Sequence, residues 1–128
     1  MGRIIAGALT LLLAGNGLAM LFAGLWWYGV VPGVTATGPY NPHFVRDIGA
    51  AYLGAGLGTA WFAWKPREGW PVLVAGAVFL TLHSAIHVFD AAFGTKPLAD
   101  VIRDFGGVYL PTLLALAIAA RKPTERTL

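Results

Sequence analysis

The sequence predicts an all-α membrane protein, a bundle of four transmembrane helices. Three observations predict it. Of the 128 residues, 57% are hydrophobic and only 12% are charged, where a soluble domain carries about 25% charged residues. Four apolar stretches of helix length run through the chain, and four spans of ~20 residues use only about 80 residues. Short segments rich in Pro, Gly and charge separate the stretches. Composition thus excludes a soluble globular domain and a disordered chain. There is no cysteine, which excludes disulfide frameworks, zinc ribbons, iron–sulfur clusters and thiolate chemistry.

Span one covers about residues 4–28. Asn16 is its only strongly polar side chain, and it ends in Trp26, Trp27 and Tyr28, an interfacial aromatic belt. Arg3 and the small residues Gly17-Leu18-Ala19 also suit a secretory leader. The apolar run continues a turn or more past them, however, beyond the ~7–15-residue core of a leader, so a retained helix is predicted. Residues 29–43 contain Pro32, Pro39 and Pro42 and read as a loop. Span two covers about 44–64, and Lys65-Pro66-Arg67-Glu68-Gly69 is a tight break. Span three covers about 70–90. A second loop, 91–100, holds Gly94 and Pro97. Span four covers about 101–120, and Pro111 is expected to kink it by removing a backbone hydrogen bond. Spans must be helices, since open strands leave unpaired backbone groups in lipid. The short breaks make successive helices antiparallel neighbours in one domain, 1–128.

Basic residues set the orientation. Arg3, Lys65, Arg67, Arg121, Lys122 and Arg126 fall on one side; Arg46, Lys96 and Arg103 fall on the other, with Asp47, Asp90, Asp100 and Asp104. The positive-inside rule puts both termini in the cytoplasm and both loops outside, in the periplasm for a bacterial inner membrane. The net charge of +3 is then a matter of topology. No basic stripe with interleaved aromatics points to nucleic acid.

An internal repeat runs through spans two and four. Phe44-Val45-Arg46-Asp47-Ile48-Gly49-Ala50-Ala51-Tyr52-Leu53 matches Val101-Ile102-Arg103-Asp104-Phe105-Gly106-Gly107-Val108-Tyr109-Leu110 at five positions, 57 residues apart. Two helical hairpins in the same orientation are expected, with halves of about 1–64 and 65–128, as in a parallel duplication about the membrane normal. Arg46, Asp47, Arg103 and Asp104 then open their helices at the outer boundary. Aspartates suit a helix N-terminus. The arginines do not, and each needs a partner: Asp47, Asp90, Asp104 or a bound anion. Tyr52 and Tyr109 lie about 9 Å deeper.

Span three carries His83, His87 and Asp90 at i, i+4 and i+7, one helix face. His83 falls about 10 Å inside the outer boundary. His43 lies just before span two, on the same side. Intramembrane polar groups are costly and face the bundle interior, which predicts a polar pocket in the outer half. It would gather His83, His87, Asp90, Tyr52, Tyr109, Arg46, Asp47, Arg103, Asp104 and His43. Two imidazoles one turn apart can bind Cu, Zn or Fe, with Asp90 or Asp104 as third ligand or orienter, and one can ligate haem. The same groups can act as a proton relay or as acid and base on a lipophilic, quinone-like molecule. They can also form a purely structural network, with His87 on Asp90 and the arginines on Asp47 or Asp104. Ala50, Gly54 and Gly58 form a small-residue stripe suited to close helix contact within the bundle or in a homo-oligomer, and Asn16 suits a hydrogen bond between helices. Trp61, Trp64 and Trp70 mark the cytoplasmic interface. No phosphate loop, dinucleotide fingerprint, nucleophile elbow or His-Glu-x-x-His motif is present, and whether the protein is an enzyme stays open.

Two functions follow as expectations. The first is a membrane protein that binds a metal, haem or a quinone-like ligand around His83 and His87 in a redox-associated role. The alternative is a structural or accessory subunit of a larger membrane complex. In size, span count and loop placement across the whole chain, the layout resembles the small bacterial four-helix membrane proteins that include the DoxX-like group. That resemblance implies a redox or quinone-associated context and carries over no functional residue.

Overall fold

The computed structural model describes residues 1–123; Arg126, counted above among the inner basic residues, lies outside them. Among the described residues every regular element is helical. They are α1 (Gly2–Phe22), α2 (Gly24–Val30), a 3-10 turn (Val34–Thr37), α3 (Pro42–Trp64), α4 (Pro66–Phe93), α5 (Pro97–Asp104), a π-helical turn (Phe105–Tyr109) and α6 (Leu110–Ala119). The last three follow one another without a break.

Helix α1 packs on α3, α3 on α4, and α4 on α5 and α6, with a lighter contact between α1 and α6. Three helical segments are long and apolar enough to cross a membrane: Gly2–Phe22, Pro66–Phe93 and the continuous Pro97–Ala119. Helix α3 has the length, at 23 residues, but Gly, Ala and an Arg-Asp pair take the place of large aliphatic side chains. Large apolar side chains cover the outside of the bundle, among them Leu11, Leu57, Leu82, Ile86 and Leu113.

Element limits follow the sequence with local differences. Span one bends at Ala23, whose φ of −131° and ψ of 38° end α1 before α2 begins. The expected break at 65–69 narrows to Lys65. Pro66 starts α4, because its fixed φ suits the first helical position, and Glu68 in the first turn favours the helix dipole. The loop 91–100 shrinks to Gly94–Lys96 for the same reason, with Pro97 opening α5. Pro111 acts one turn earlier than a simple kink. It has no N–H, and its ring presses on the carbonyl four residues back, Gly107. The chain widens instead: Leu110 N–H bonds to the Phe105 carbonyl five residues back.

In lipid, helices associate through close packing and interhelical hydrogen bonds, and both occur here. Gly17 meets the backbone of Gly49 and Leu53, and Gly56 meets that of Ala14. Of the expected stripe of Ala50, Gly54 and Gly58, Gly58 makes a close helix contact, against Val72 of α4, whereas a Cβ on Gly54 meets nothing within 4 Å. The close α1–α3 face is one step round the helix, at Gly49 and Gly56. Thr10 Oγ1 and Thr59 Oγ1 (3.0 Å) join α1 to α3, and Ser84 Oγ and Thr112 Oγ1 (2.7 Å) join α4 to α6. At the end of the bundle that holds both Gly2 and Ile118, side chains close off helix carbonyls. Arg3 Nε donates to the Ala63 carbonyl (2.7 Å) and Trp70 Nε1 to that of Ala119 (2.8 Å). The opposite end carries the two loops and the histidines.

Substitutions that overfill the α1–α3 seam are expected to destabilise by about 1–3 kcal/mol each. Gly17→Val and Gly56→Val should lower the unfolding midpoint in detergent, followed by far-ultraviolet circular dichroism, and Gly54→Ala should not.

Candidate functional site

Helix α4 builds the first wall. Phe79, His83 and His87 follow at steps of four, so their rings form one column. The His83 ring centroid lies 4.7 Å from that of His87 and 6.0 Å from that of Phe79. From α3, Tyr52 sets its ring edge-on to His83 (5.5 Å) and Phe79 (5.4 Å).

The second wall comes from the end of α5. Asp104 is 8% exposed and both its oxygens are engaged. Arg103 Nε donates to Oδ1 (2.7 Å) and Nη2 to Oδ2 (3.0 Å); His87 Nδ1 shares Oδ2 at 2.8 Å. Arg103 Nη1 also donates to Asp100 Oδ1 at 2.7 Å. A buried carboxylate is tolerated only when paired and hydrogen-bonded, and this one has three bonds from two partners. With the carboxylate accepting, His87 Nδ1 carries the proton, which leaves Nε2 as the free nitrogen of the ring.

The third wall is α1 and the turn beyond it. Asn16 Oδ1 accepts from Trp27 Nε1 at 2.7 Å. In a straight helix, residues eleven apart are separated by about 16 Å along the axis, out of side-chain reach. The bend at Ala23 closes that gap and lays Trp27 back over Asn16. Past α2, Gly33 adopts a φ of +86°, a left-handed conformation that glycine takes at no steric cost. Its backbone lies on the Arg103 guanidinium, and a Cβ there would come within 2.5 Å of Arg103 Nε. The segment from Val31 to Thr37 thereby roofs the space.

Together these walls enclose a cavity of about 300 Å³. Asn16, Tyr52, His83, His87, Arg103 and Asp104 supply polar groups, and Leu12, Leu13, Met20, Val31, Ile48 and Val108 supply apolar ones. Its volume lies at the lower end of small-molecule sites, enough for a single-ring head group. His83 makes ring contacts but no hydrogen bond among the described residues, so both its nitrogens are available to a ligand.

Of the residues expected in the pocket, Tyr52, His83, His87, Arg103 and Asp104 meet there. The others do not line it. Asp90 is exposed. The inward line of α4 runs through Leu80, Ser84 and Ala91, and Asp90, one residue before Ala91, is turned about 100° away. The carboxylate on His87 is therefore Asp104. Arg46 is exposed. His43 Nε2 and Asp47 Oδ2 pair at 3.3 Å on the exposed start of α3, a contact of little energetic weight. The Tyr109 hydroxyl is buried without a hydrogen-bond partner, outside the cavity lining. Sequence reasoning missed Trp27 and Gly33. Asn16 was legible as an isolated intramembrane amide, and it lines the cavity besides bonding to Trp27.

Asp104 spends its oxygens on Arg103 and His87, and among the described residues no three His, Asp or Glu side chains gather where an ion could sit. The arrangement offers instead one free imidazole, one carboxylate-oriented imidazole and a phenol, all facing apolar walls. Comparison with protein-family models, curated proteins and solved structures returned no match.

The two Arg-Asp pairs should respond differently to truncation. Arg103→Ala strips the buried Asp104 of its main partner and should cost about 3 kcal/mol. Arg46→Ala, on the exposed start of α3, should stay within about 0.5 kcal/mol of the parent. Thermal unfolding in one detergent measures both.

Proposed function

We propose that this chain is a four-span membrane protein that binds a lipophilic, quinone-like ring compound in the outer half of its bundle, in a redox-associated role. The carrying observation is the pair of imidazoles in an apolar-walled cavity, with His87 held by a saturated Asp104 and His83 without a hydrogen bond among the described residues. A ring compound with carbonyl or hydroxyl groups matches both features. A ring carbonyl takes a hydrogen bond from His83, and the ring lies against Leu12, Leu13, Met20 and Val108. Asp104 keeps the His87 proton on Nδ1, so Nε2 accepts from a ligand hydroxyl.

Four spans are proposed because α3 lies between α1 and α4 and runs about 34 Å, enough for a ~30 Å hydrocarbon core. Exposed Leu and Ile on the other helices favour lipid around the bundle, since large apolar patches are rare on soluble monomers. The excess of Arg and Lys at the end with both termini favours that end as cytoplasmic, in a bacterial inner membrane. The repeat fits this layout, with α1–α3 and α4–α6 as successive hairpins.

Binding is tested with a hydroxyl-bearing naphthoquinone titrated into protein in nanodiscs, reading tryptophan fluorescence. Trp27 lines the cavity, so quenching is expected and Trp27→Phe should remove most of it. His83→Ala and His87→Ala should each weaken binding at least tenfold with helix content unchanged. Equal affinity in both variants would overturn the reading. Stable co-purification of a partner protein, with no quinone binding, would favour the accessory-subunit alternative.

Topology is tested separately. The chain lacks cysteine, so single substitutions report cleanly. Thr37→Cys should react with an impermeant maleimide on intact cells, and Lys122→Cys only after permeabilisation.

A further inference from the structure

The histidine cavity is not closed on every side. Residues that line it and are also exposed mark where it opens. Pro32, Thr37 and Arg103 do so at the roof, and Ile48 does so near the outer start of α3. Leu12 and Gly107 do so much deeper. Leu12, 47% exposed, is the middle residue of α1 (Gly2–Phe22), and Gly107 is one residue from the middle of Pro97–Ala119. In a spanning helix that height is the centre of the hydrocarbon, not the head-group region. The helices leave a gap here because α1 packs on α3 and touches α6 only lightly. A Cβ on Gly107 meets no described atom within 4 Å, so the sill of the opening carries no side chain.

We propose that the ligand of this cavity is a ring compound with a long hydrocarbon chain, which leaves sideways into the bilayer between Leu12 and Gly107. Such a ligand presupposes the quinone-like reading of the cavity. It narrows that reading to chain-bearing compounds that arrive from the membrane rather than from water. The volume of about 300 Å³ holds the ring but not a long chain as well, so the chain must pass through an opening. At the roof it would meet the Arg103 guanidinium, its two aspartates and water. Between Leu12 and Gly107 it meets lipid, and every methylene kept out of water favours that path. Beside the gap, Leu13 and Val108 also line the cavity and are apolar.

Two hydroxynaphthoquinones, one bare and one carrying a long alkyl chain, are titrated into the full chain in nanodiscs. Affinity is expressed per mole of compound in the lipid, so that partitioning cancels. The chain-bearing compound should bind at least fivefold tighter. Gly107→Leu puts a side chain in the gap and should bring the two affinities together. Gly106→Leu, one residue away and outside the cavity lining, should keep them apart. A photoreactive group within the alkyl chain, used on the parent protein, locates the chain without any substitution. Attachment at Leu12 or within Phe105–Tyr109 is expected. Equal affinity for the two compounds, an unchanged ratio in Gly107→Leu, the same collapse in Gly106→Leu, or attachment confined to α3 or the roof would overturn the proposal. Where Gly107→Leu loses both compounds, the site of attachment decides. Failure of both compounds to bind the parent would instead refute the quinone-like reading, so the two failures are distinguishable.

Discussion

A carboxylate inside a helix bundle dictates what must surround it. Asp104 is almost fully buried, and its charge is met by Arg103 on its own helix and His87 on the neighbour. That cluster fixes the separation of α4 and α5 at the height of the cavity and orients the His87 ring. It also holds the guanidinium on which Gly33 rests, and so anchors the roof. Removing the carboxylate would leave an arginine with half its partners, an imidazole without a fixed tautomer and a loop without a seat.

The π turn makes this possible. It holds one residue more than an α turn and so rotates the preceding segment by about 100° relative to the following one. In the segment 44–53 Tyr52 reaches the cavity and Asp47 is exposed; in the matching segment 101–110 Asp104 reaches it and Tyr109 does not. Identical residues in identical register thus supply different halves of one site. The cause lies in a residue outside the identical positions: Pro111 follows the second segment, where Gly54 follows the first. The turn it forces falls between Asp104 and Tyr109.

The two ends of the bundle are built on opposite terms. At the histidine end, a bent helix and a left-handed glycine fold the chain back over the site, and the charges are spent on one another. At the other end, Arg3 and Trp70 close helix carbonyls. Between the ends the seams are narrow: Gly17 on Gly49, Gly56 on Ala14, and two hydroxyl pairs. Such contacts specify which helices meet, which in lipid the hydrophobic effect cannot do.

The helical class, the sites of the breaks and the pairing of His83 with His87 were legible in sequence, because each depends on composition or on spacing along one helix. Polarity at depth also marked Asn16, Tyr52, Arg103 and Asp104. Which carboxylate meets His87 was not legible. On one helix Asp90 has the nearer spacing, but exposure depends on where the neighbouring helices lie, and they bury Ala91 instead. The role of Trp27 required the bend at Ala23, and the seat of Gly33 required Arg103 to arrive from seventy residues away. The α1–α3 seam at Gly49 and Gly56 was not legible, since a helix covered in Gly and Ala presents several equivalent faces until a partner selects one, and Gly58 of the expected stripe meets α4 instead. Local periodicity determined what this chain is made of; the meeting of separate helices, set by packing and by one buried charge, decided where its chemistry sits.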